Sequence, residues 1–562
     1  MDWRPASVIR WLLDPERGAS DRLMARWLFL RALGLIYFSA FFSLVYQIQG
    51  LIGPTGILPA SEYLQAVTDS AGHARWWYAP TLLWASCSSH TLAGLCWVGL
   101  VASLLVTLNV WPRGTLLICF VCFISFVSAA SEFSGYQSDG MLLEAGFIAL
   151  FLAPPGFRPG LGRAHAPIRA SVLLLQWELF RIYFESGVAK VASGDTEWRQ
   201  FTAMDEYYQN GPLPTWIGWY VQHFPHWFHA TSAFGTLALE LVLIWMMFLP
   251  RRWRIICFFI LTPWQMVIIL TANYTFLNYL VLVLGIFLLD DRFLRQFVPW
   301  RWRERFPEVH NTGTEAEAGP GAFDAQSILQ PATVSPNAAP TTEPGRARGW
   351  LEKFHYYVAW LRLSLTGVMF AWIFYASTVL LIWMIWPGAP FPATPVVALE
   401  PFRIADRYGL FAVMTRGRYE IEFQGSGDGQ TWSTYPFRYK PQDPAKAPRI
   451  YAPYQPRFDW NLWFASLGEW RANPIVPRTE ERLLAGDADV LALFAGNPFP
   501  EGPPRQVRAV IWQYWFSTPA EKRAQGLWWR RQLLGLYAPT LEREPNGRIS
   551  VVEWPLALEP RQ

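Results

Sequence analysis

The sequence predicts a mainly α, polytopic membrane helical bundle of about nine spans, followed by a C-terminal β-containing soluble domain. Three observations predict it. Hydrophobic residues make up 52% of the chain and charged residues only 16%, where ordinary soluble domains carry about 25% charged residues. Apolar segments of about 20 residues, the length that crosses a bilayer, recur along the chain as far as residue 386. The loops between them alternate between arginine-rich and arginine-poor, as the positive-inside rule requires of a chain that crosses repeatedly.

The expected spans lie near 27–46, 90–110, 115–130, 140–154, 170–190, 231–249, 255–272, 276–290 and 358–386. The fourth and eighth are short enough to be re-entrant. Arg4, Arg10, Arg17, Arg22 and Arg26 precede the first span, whereas the loop from 47 to 89 has only Arg75. Arg113 stands in the next turn, and the 131–139 loop has no Lys or Arg. Arg158, Arg163 and Arg169 follow, and then a long loop carries only Lys190 and Arg199. Arg251, Arg252 and Arg254 fill the 250–254 turn, the 272–276 turn has none, and Arg292, Arg295, Arg301, Arg303 and Arg305 follow the eighth span. The alternation puts the N-terminus in the cytoplasm and the C-terminal domain outside it. Trp27 opens a full-length span after charged residues, so no cleavable signal peptide is expected.

These signals divide the chain into a cytoplasmic segment (1–26), a transmembrane bundle of about eight helices (27–306), a linker (307–349), a last transmembrane helix (350–386) and an extracytoplasmic domain (387–562). The linker is rich in Pro, Ala, Gly, Thr and Glu without an apolar period, and such a segment cannot bury a core. In the last region RYEIEF (Arg418–Phe423), GSGDG (Gly425–Gly429) and TYPFRY (Thr434–Tyr439) read as a β-hairpin, and RQVRAVIWQYWF (Arg505–Phe516) as a further strand.

Ionisable groups inside a membrane are costly and tend to be functional. The bundle carries Arg31, Glu132, Asp139, Glu144, Glu178, Arg181, Glu185, Lys190 and Glu240, with Gln265, Asn273 and Asn278 as further polar groups. Glu178, Arg181 and Glu185 are spaced i, i+3, i+7 and share one helix face, which must turn away from lipid. Two readings stand: a self-neutralising network that fixes helix packing, or the wall of a substrate or proton cavity lined by Asp139, Glu144, Glu178, Arg181, Glu185 and Glu240. Lys190 is the sole lysine in the first 352 residues of a chain that otherwise chooses arginine. A buried lysine can lose its proton and act as a base, which arginine cannot. The structural alternative is a helix-end lysine reaching the interface.

Other chemistries find little support. The net charge is +4, and with no basic run among the aromatics nucleic acid is excluded as a partner. There is no G-x-S-x-G, P-loop or G-x-G-x-x-G, so no cofactor is expected. His223, His226 and His229 recur every third residue, but Pro225 and the surrounding aromatics favour an interfacial loop over a metal site. Cys119 and Cys122, one turn apart in an apolar span, read as packing residues. No cysteine falls in the C-terminal domain, which therefore cannot be disulfide-stapled.

Several long segments resemble the lipase maturation factor family. They are RWLFLRALGLIYFSAFFSLVYQIQGLIGPTGILPA (Arg26–Ala60), SGYQSDGMLLEAGFIALFLAP (Ser134–Pro154) and LLQWELFRIYFESGVAKVASGDTEWRQFTAMDEYYQNGPLPTWIGWY (Leu174–Tyr220). RYEIEFQGSGDGQTW and FRYKPQDPAKAPRIYAPYQPRFDWNLWFASLG (Phe437–Gly468) are similar to its C-terminal signature. For animal members the resemblance implies an endoplasmic reticulum membrane protein that helps secreted lipases fold, its outer domain being the client-binding part. The arginine-over-lysine bias points instead to a GC-rich bacterial genome, and hence to the bacterial inner membrane. A more local likeness, YFESGVAKVASGDTEW (Tyr183–Trp198), is similar to part of the vitamin K-dependent γ-carboxylase membrane domain, where the matching lysine is the base.

Two functions are therefore expected to compete. The first is a membrane-bound maturation or folding factor (a chaperone) for an exported lipase or related hydrolase, embedded among membrane lipids. Its client would meet the aromatic-rich stretch around Tyr454, Arg457, Asp459 and Trp460, residue types that suit interface hot spots, although the same stretch could pack the domain onto the bundle. The second is a membrane enzyme using Lys190 as base on a lipid or quinone-like substrate.

Overall fold

The computed structural model describes residues 5–14, 18–300 and 348–556; apart from its last two residues, the expected linker 307–349 lies outside them. Each expected span coincides with a helix. They are α1 (Leu23–Val45), α2 (Ser89–Thr107), α3 (Pro112–Val127), α4 (Gln137–Leu152) and α5 (Arg169–Ala192). After a short surface helix, α6 (Trp216–Gln222), come α7 (His226–Leu241), α8 (Arg251–Thr271), α9 (Leu277–Gly285) and α10 (Arg348–Ile385). Among the described residues, 5 helices are long and apolar enough to cross a membrane: those at Ser20–Val45, Ser89–Thr107, His226–Phe248, Arg251–Thr271 and Trp360–Ile385. The other expected spans differ for two physical reasons. Pro112–Val127, Gln137–Leu152 and Leu277–Leu288 are shorter, as helices enclosed by protein can be. α5 is long, but Glu178, Arg181 and Glu185 sit in its middle.

Close helix packing rests on small residues, as it does where lipid offers no hydrophobic drive. A Cβ on Gly99 of α2 would lie 2.4 Å from the Phe41 ring of α1, and one on Gly34 would lie 2.8 Å from the Thr107 backbone. Phe41, Tyr37 and Phe123 then interlock edge to face. All five cysteines are free, and Cys96, Cys119, Cys122 and Cys257 are buried in this packing.

The C-terminal region forms a 6-stranded antiparallel sheet from β1 (Arg418–Ser426), β2 (Ser433–Thr434), β3 (Gln506–Phe516), β4 (Trp529–Leu536), β5 (Thr540–Arg543) and β6 (Ile549–Glu553). Its order is β2-β1-β3-β5-β6, with β4 beside the other half of β3. The expected hairpin exists, although its second strand is only Ser433–Thr434. Beyond it the chain turns inward, because Tyr435 and Phe437 sink into the core and Lys440 Nζ reaches Glu420. The central partner of β1 is β3, in register from Arg418↔Tyr514 to Ser426↔Gln506. Two helices, α11 (Arg457–Leu467) and α12 (Ile475–Ala485), pack beside β1 and β3. One apolar cluster runs without a break from Phe41 and Phe123 in the bundle to Ile421, Phe423 and Val507 in the sheet.

The loops sort by composition. At one end of the bundle Arg22 donates to the Phe287 carbonyl (3.2 Å), Arg26 to the His165 carbonyl (2.6 Å) and Arg113 to the Ala153 carbonyl (2.7 Å). There too Asp291 accepts from the Leu23 and Met24 amides at the start of α1. The arginine-poor loops gather at the other end and meet the C-terminal region. Gln47 donates to Gln455 O (2.9 Å), Arg478 to Glu62 (3.2 Å), Arg418 to Gln209 O (3.0 Å) and Asn273 to Arg449 O (2.8 Å).

Candidate functional site: the clamp between bundle and sheet

Charge in the middle of an apolar helix is costly, and one face of α5 carries three such groups. Glu178, Arg181 and Glu185 are fully buried. What they meet is a strap of chain between α10 and β1. Arg181 ion-pairs with Glu144 of α4, and its other terminal nitrogen donates to the Asp406 carbonyl at 2.6 Å. Glu144 also accepts from the Tyr408 hydroxyl at 2.8 Å and the Asp406 amide at 3.3 Å. Glu185 accepts from the Tyr408 amide at 2.6 Å, and the Ser186 hydroxyl accepts from the Leu410 amide at 3.3 Å. Gly140 of α4 has no side chain because Asp406 occupies its place: a Cβ there would lie 2.4 Å from Oδ2. Glu178 is buried beside this group, and neither of its oxygens has a hydrogen-bond partner among the described residues.

Lys190 continues the same row at the end of α5. Its ammonium donates to Glu240 of α7 (2.9 Å), to the Leu410 carbonyl (2.9 Å) and to the Ser186 carbonyl (3.5 Å), over the face of Trp198. An ammonium has three donors, so these contacts use all of them. One turn on, Asp195 accepts from the Met414 amide (2.7 Å) and Trp198 donates to the Phe411 carbonyl (3.0 Å). Between Asp406 and Met414 backbone groups of the strap are thus held by side chains of α4, of α5 and of the segment that follows α5. Buried backbone groups need such partners, and a β-poor strap has none of its own.

The expected cavity therefore does not open at Lys190; the strap fills the space. A small apolar pocket does lie elsewhere, between α5, α8 and α9, lined by Leu179, Tyr183, Leu261, Gln265, Val281 and Leu288. Lys190 is not in its wall.

The expected client residues lie in the same seam, not on a free surface. Arg457 is fully buried and forms a two-pronged pair with Asp139 of α4, at 2.7 and 2.8 Å, while also donating to Phe133 O (2.7 Å). Asp459 accepts from the Tyr439 and Lys440 amides (3.2 and 3.1 Å), and burial pushes its carboxyl up to about 6. Trp460 packs with Leu213, Ala272 and Tyr274, and the Tyr454 hydroxyl accepts from Gln47 (3.1 Å). The physical reason is charge: Asp139 needs a cation, and the sheet domain supplies it.

Sequence reasoning missed Asp406, Tyr408, Asp195 and the Arg418–Glu420–Lys440 chain, in which Glu420 bridges both cations. Two acids on α4 with no cation on that helix were a signal for a partner such as Arg457; nothing comparable marks the strap. The histidine triplet is divided among separate partners: His223 bonds Trp219 O and Ser517 O, and His226 faces Asp205. Among the described residues no group of three His, Cys, Asp or Glu could hold a metal ion.

Comparison with known proteins covers both sides of the clamp. The profile described as Lipase maturation factor transmembrane domain matches residues 24–296, and the Lipase maturation factor C-terminal domain matches residues 404–539. Lipase maturation factor 2 of Homo sapiens is 32% identical, over 93% of this chain and 83% of the relative. Lipase maturation factor 1 of Bos taurus is 32% identical over 95% and 91%, and that of Mus musculus 32% over 96% and 90%. No solved structure matches the chain. The second matched region begins at the strap, so the clamp joins two parts that the relatives also carry, and the chain belongs to the lipase maturation factor family of integral membrane proteins.

Proposed function

We propose that this protein is a membrane-bound maturation factor that helps exported lipases or related hydrolases fold, with the sheet domain engaging the client outside the cytoplasm. Likeness to lipase maturation factors along almost the whole chain is the observation that carries the reading. In this arrangement all nine helices cross the membrane, the N-terminus lies in the cytoplasm and residues 387–562 lie outside. Support comes from the gathering of arginine-rich loops at one end and of arginine-poor loops under the sheet at the other. The arginine bias of the sequence favours a bacterial inner membrane, with the sheet in the periplasm.

Since Arg457, Asp459 and Trp460 are occupied in the seam, the client meets another face. The free edge of the sheet at β6, where Val552 and Trp554 are exposed, leaves backbone groups available to an extended client segment. Lys190 and its neighbours hold the domain in place. The test is deletion of the gene, followed by measurement of secreted lipase activity and abundance. Loss of activity out of proportion to lipase synthesis is expected; unchanged activity, abundance and assembly would refute the proposal.

A further inference from the structure

Lys522 lies on a surface helix, α13 (Pro519–Gln525), and its ammonium is enclosed by aromatic rings. It sits 3.2 Å from the ring centroid of Trp528, 4.2 Å from that of Trp219 and 4.4 Å from that of Tyr220. It also donates to the Tyr220 hydroxyl at 3.0 Å. The walls hold one another: Trp219 and Trp528 meet at 5.5 Å and 70°, Trp219 and Tyr220 at 4.9 Å and 85°. Such T-shaped pairs are favourable in themselves, so the rings form a shape that does not depend on the lysine. The neighbouring acid, Glu521, is turned to its own helix cap and to Arg530. Among the described residues no carboxylate pairs with Lys522, so π faces and one hydroxyl hold the cation. Aromatic walls around a cation are the general means of recognising alkylammonium groups.

The position of the cage narrows the ligand. α6, which carries Trp219 and Tyr220, is pinned to the outer end of the spanning helix α8: Thr215 donates to Leu270 O at 2.8 Å, and Pro214 bridges to Ala272. Trp216, Tyr220, Phe224 and Trp227 are exposed beside it. Exposed Trp and Tyr at the end of a spanning helix mark the level of lipid headgroups. Tyr220 belongs both to this ridge and to the cage wall, so the mouth of the cage opens at that level.

We infer that Trp219, Tyr220 and Trp528 form a binding site for the alkylammonium headgroup of a bilayer lipid, of choline or ethanolamine type, for which Lys522 is the built-in competitor. The site bridges the two parts of the protein, because Trp219 and Tyr220 belong to the bundle loop while Trp528 and Lys522 belong to the sheet domain. Headgroup entry displaces Lys522 and frees one corner of that domain, leaving the α5 clamp intact.

The test uses the purified full chain in detergent with short-chain lipids that share acyl chains and differ in headgroup, the bound lipid being counted by native mass spectrometry. Lys522→Ala empties the cage and is expected to tighten retention of the choline lipid roughly tenfold. Lys522→Ala with Tyr220→Leu loses that gain; Tyr220 is half exposed, so the fold survives, and an unchanged melting temperature verifies it. A glycerol headgroup should not respond to either change. If Lys522→Ala leaves choline-lipid retention unchanged, or raises the glycerol lipid equally, the cage is not an ammonium site. Tetramethylammonium separates the two sources of the same chemistry: competing only weakly with the lipid supports a headgroup site, whereas binding to Lys522→Ala as tightly as the lipid overturns the lipid assignment.

Discussion

The two ends of the bundle are closed by different means. At the arginine-rich end the contacts stay within the bundle: Arg254 bonds Leu288 O (3.0 Å), Arg251 pairs with Asp290, and Asp291 caps α1. At the other end, side chains buried in the bundle reach out of it, as Asp139 does to Arg457 of the sheet domain and Arg181 to the Asp406 carbonyl of the strap. Buried charges at that second end draw part of their compensation from the sheet domain or the strap before it, as Asp139 does from Arg457. Buried charge of the bundle is thus the docking surface for the protein's own sheet domain.

The largest effect should come from Arg457→Ala. It leaves Asp139 buried and unpaired, a change that costs about 3–5 kcal/mol, and it should release the sheet domain to limited proteolysis. Arg251→Ala at the opposite end, where the arginine is partly exposed, should cost less than about 1 kcal/mol. Equal losses from the two would break the comparison.

Next is the pH dependence of Asp459. Its pKa rises on folding from 3.8 to about 6 because burial disfavours the charged form. The native state therefore binds more protons than the unfolded state between those values. The contribution is fully favourable below 3.8 and is lost as pH rises towards 6, by up to ~3 kcal/mol. Asp459→Asn should flatten that part of the stability profile measured by chemical unfolding of the detergent-solubilised protein; an unchanged slope would remove Asp459 as its source.

Smaller effects probe the clamp itself. Tyr408→Phe deletes the hydroxyl that bonds Glu144 and should cost about 1–2 kcal/mol, seen as a lower melting temperature. Lys190→Arg keeps the cation beside Glu240 and should preserve most lipase maturation, whereas Lys190→Met should weaken it. If Lys190→Arg abolishes function with the domain still docked, the lysine acts by losing its proton and the clamp account of it fails.

The sequence made the helices legible because apolar runs of spanning length have few other uses, and arginine alternation ordered their ends. It also drew attention to α5, since three charges on one apolar helix need a reason. Their partners were not legible. The strap from Asp406 to Met414 offers backbone groups, which leave no mark in side-chain pattern, and it lies over 220 residues along the chain from Arg181. For Tyr454, Arg457, Asp459 and Trp460 the sequence left a client surface and packing onto the bundle both open, because aromatic and arginine side chains compose either one. Strands β4, β5 and β6 were not legible: β5 and β6 are short, β4 is largely exposed, and none shows the alternation that marked β3.

Hydrogen exchange along the strap tests the central claim most directly. The amides of Tyr408, Leu410 and Met414 donate to Glu185, Ser186 and Asp195. In the intact protein they should exchange as slowly as the amides pairing β1 with β3, and Arg457→Ala should accelerate them before it affects the β1–β3 pairing. Fast exchange of these three amides in a protein whose sheet remains protected would contradict the clamp.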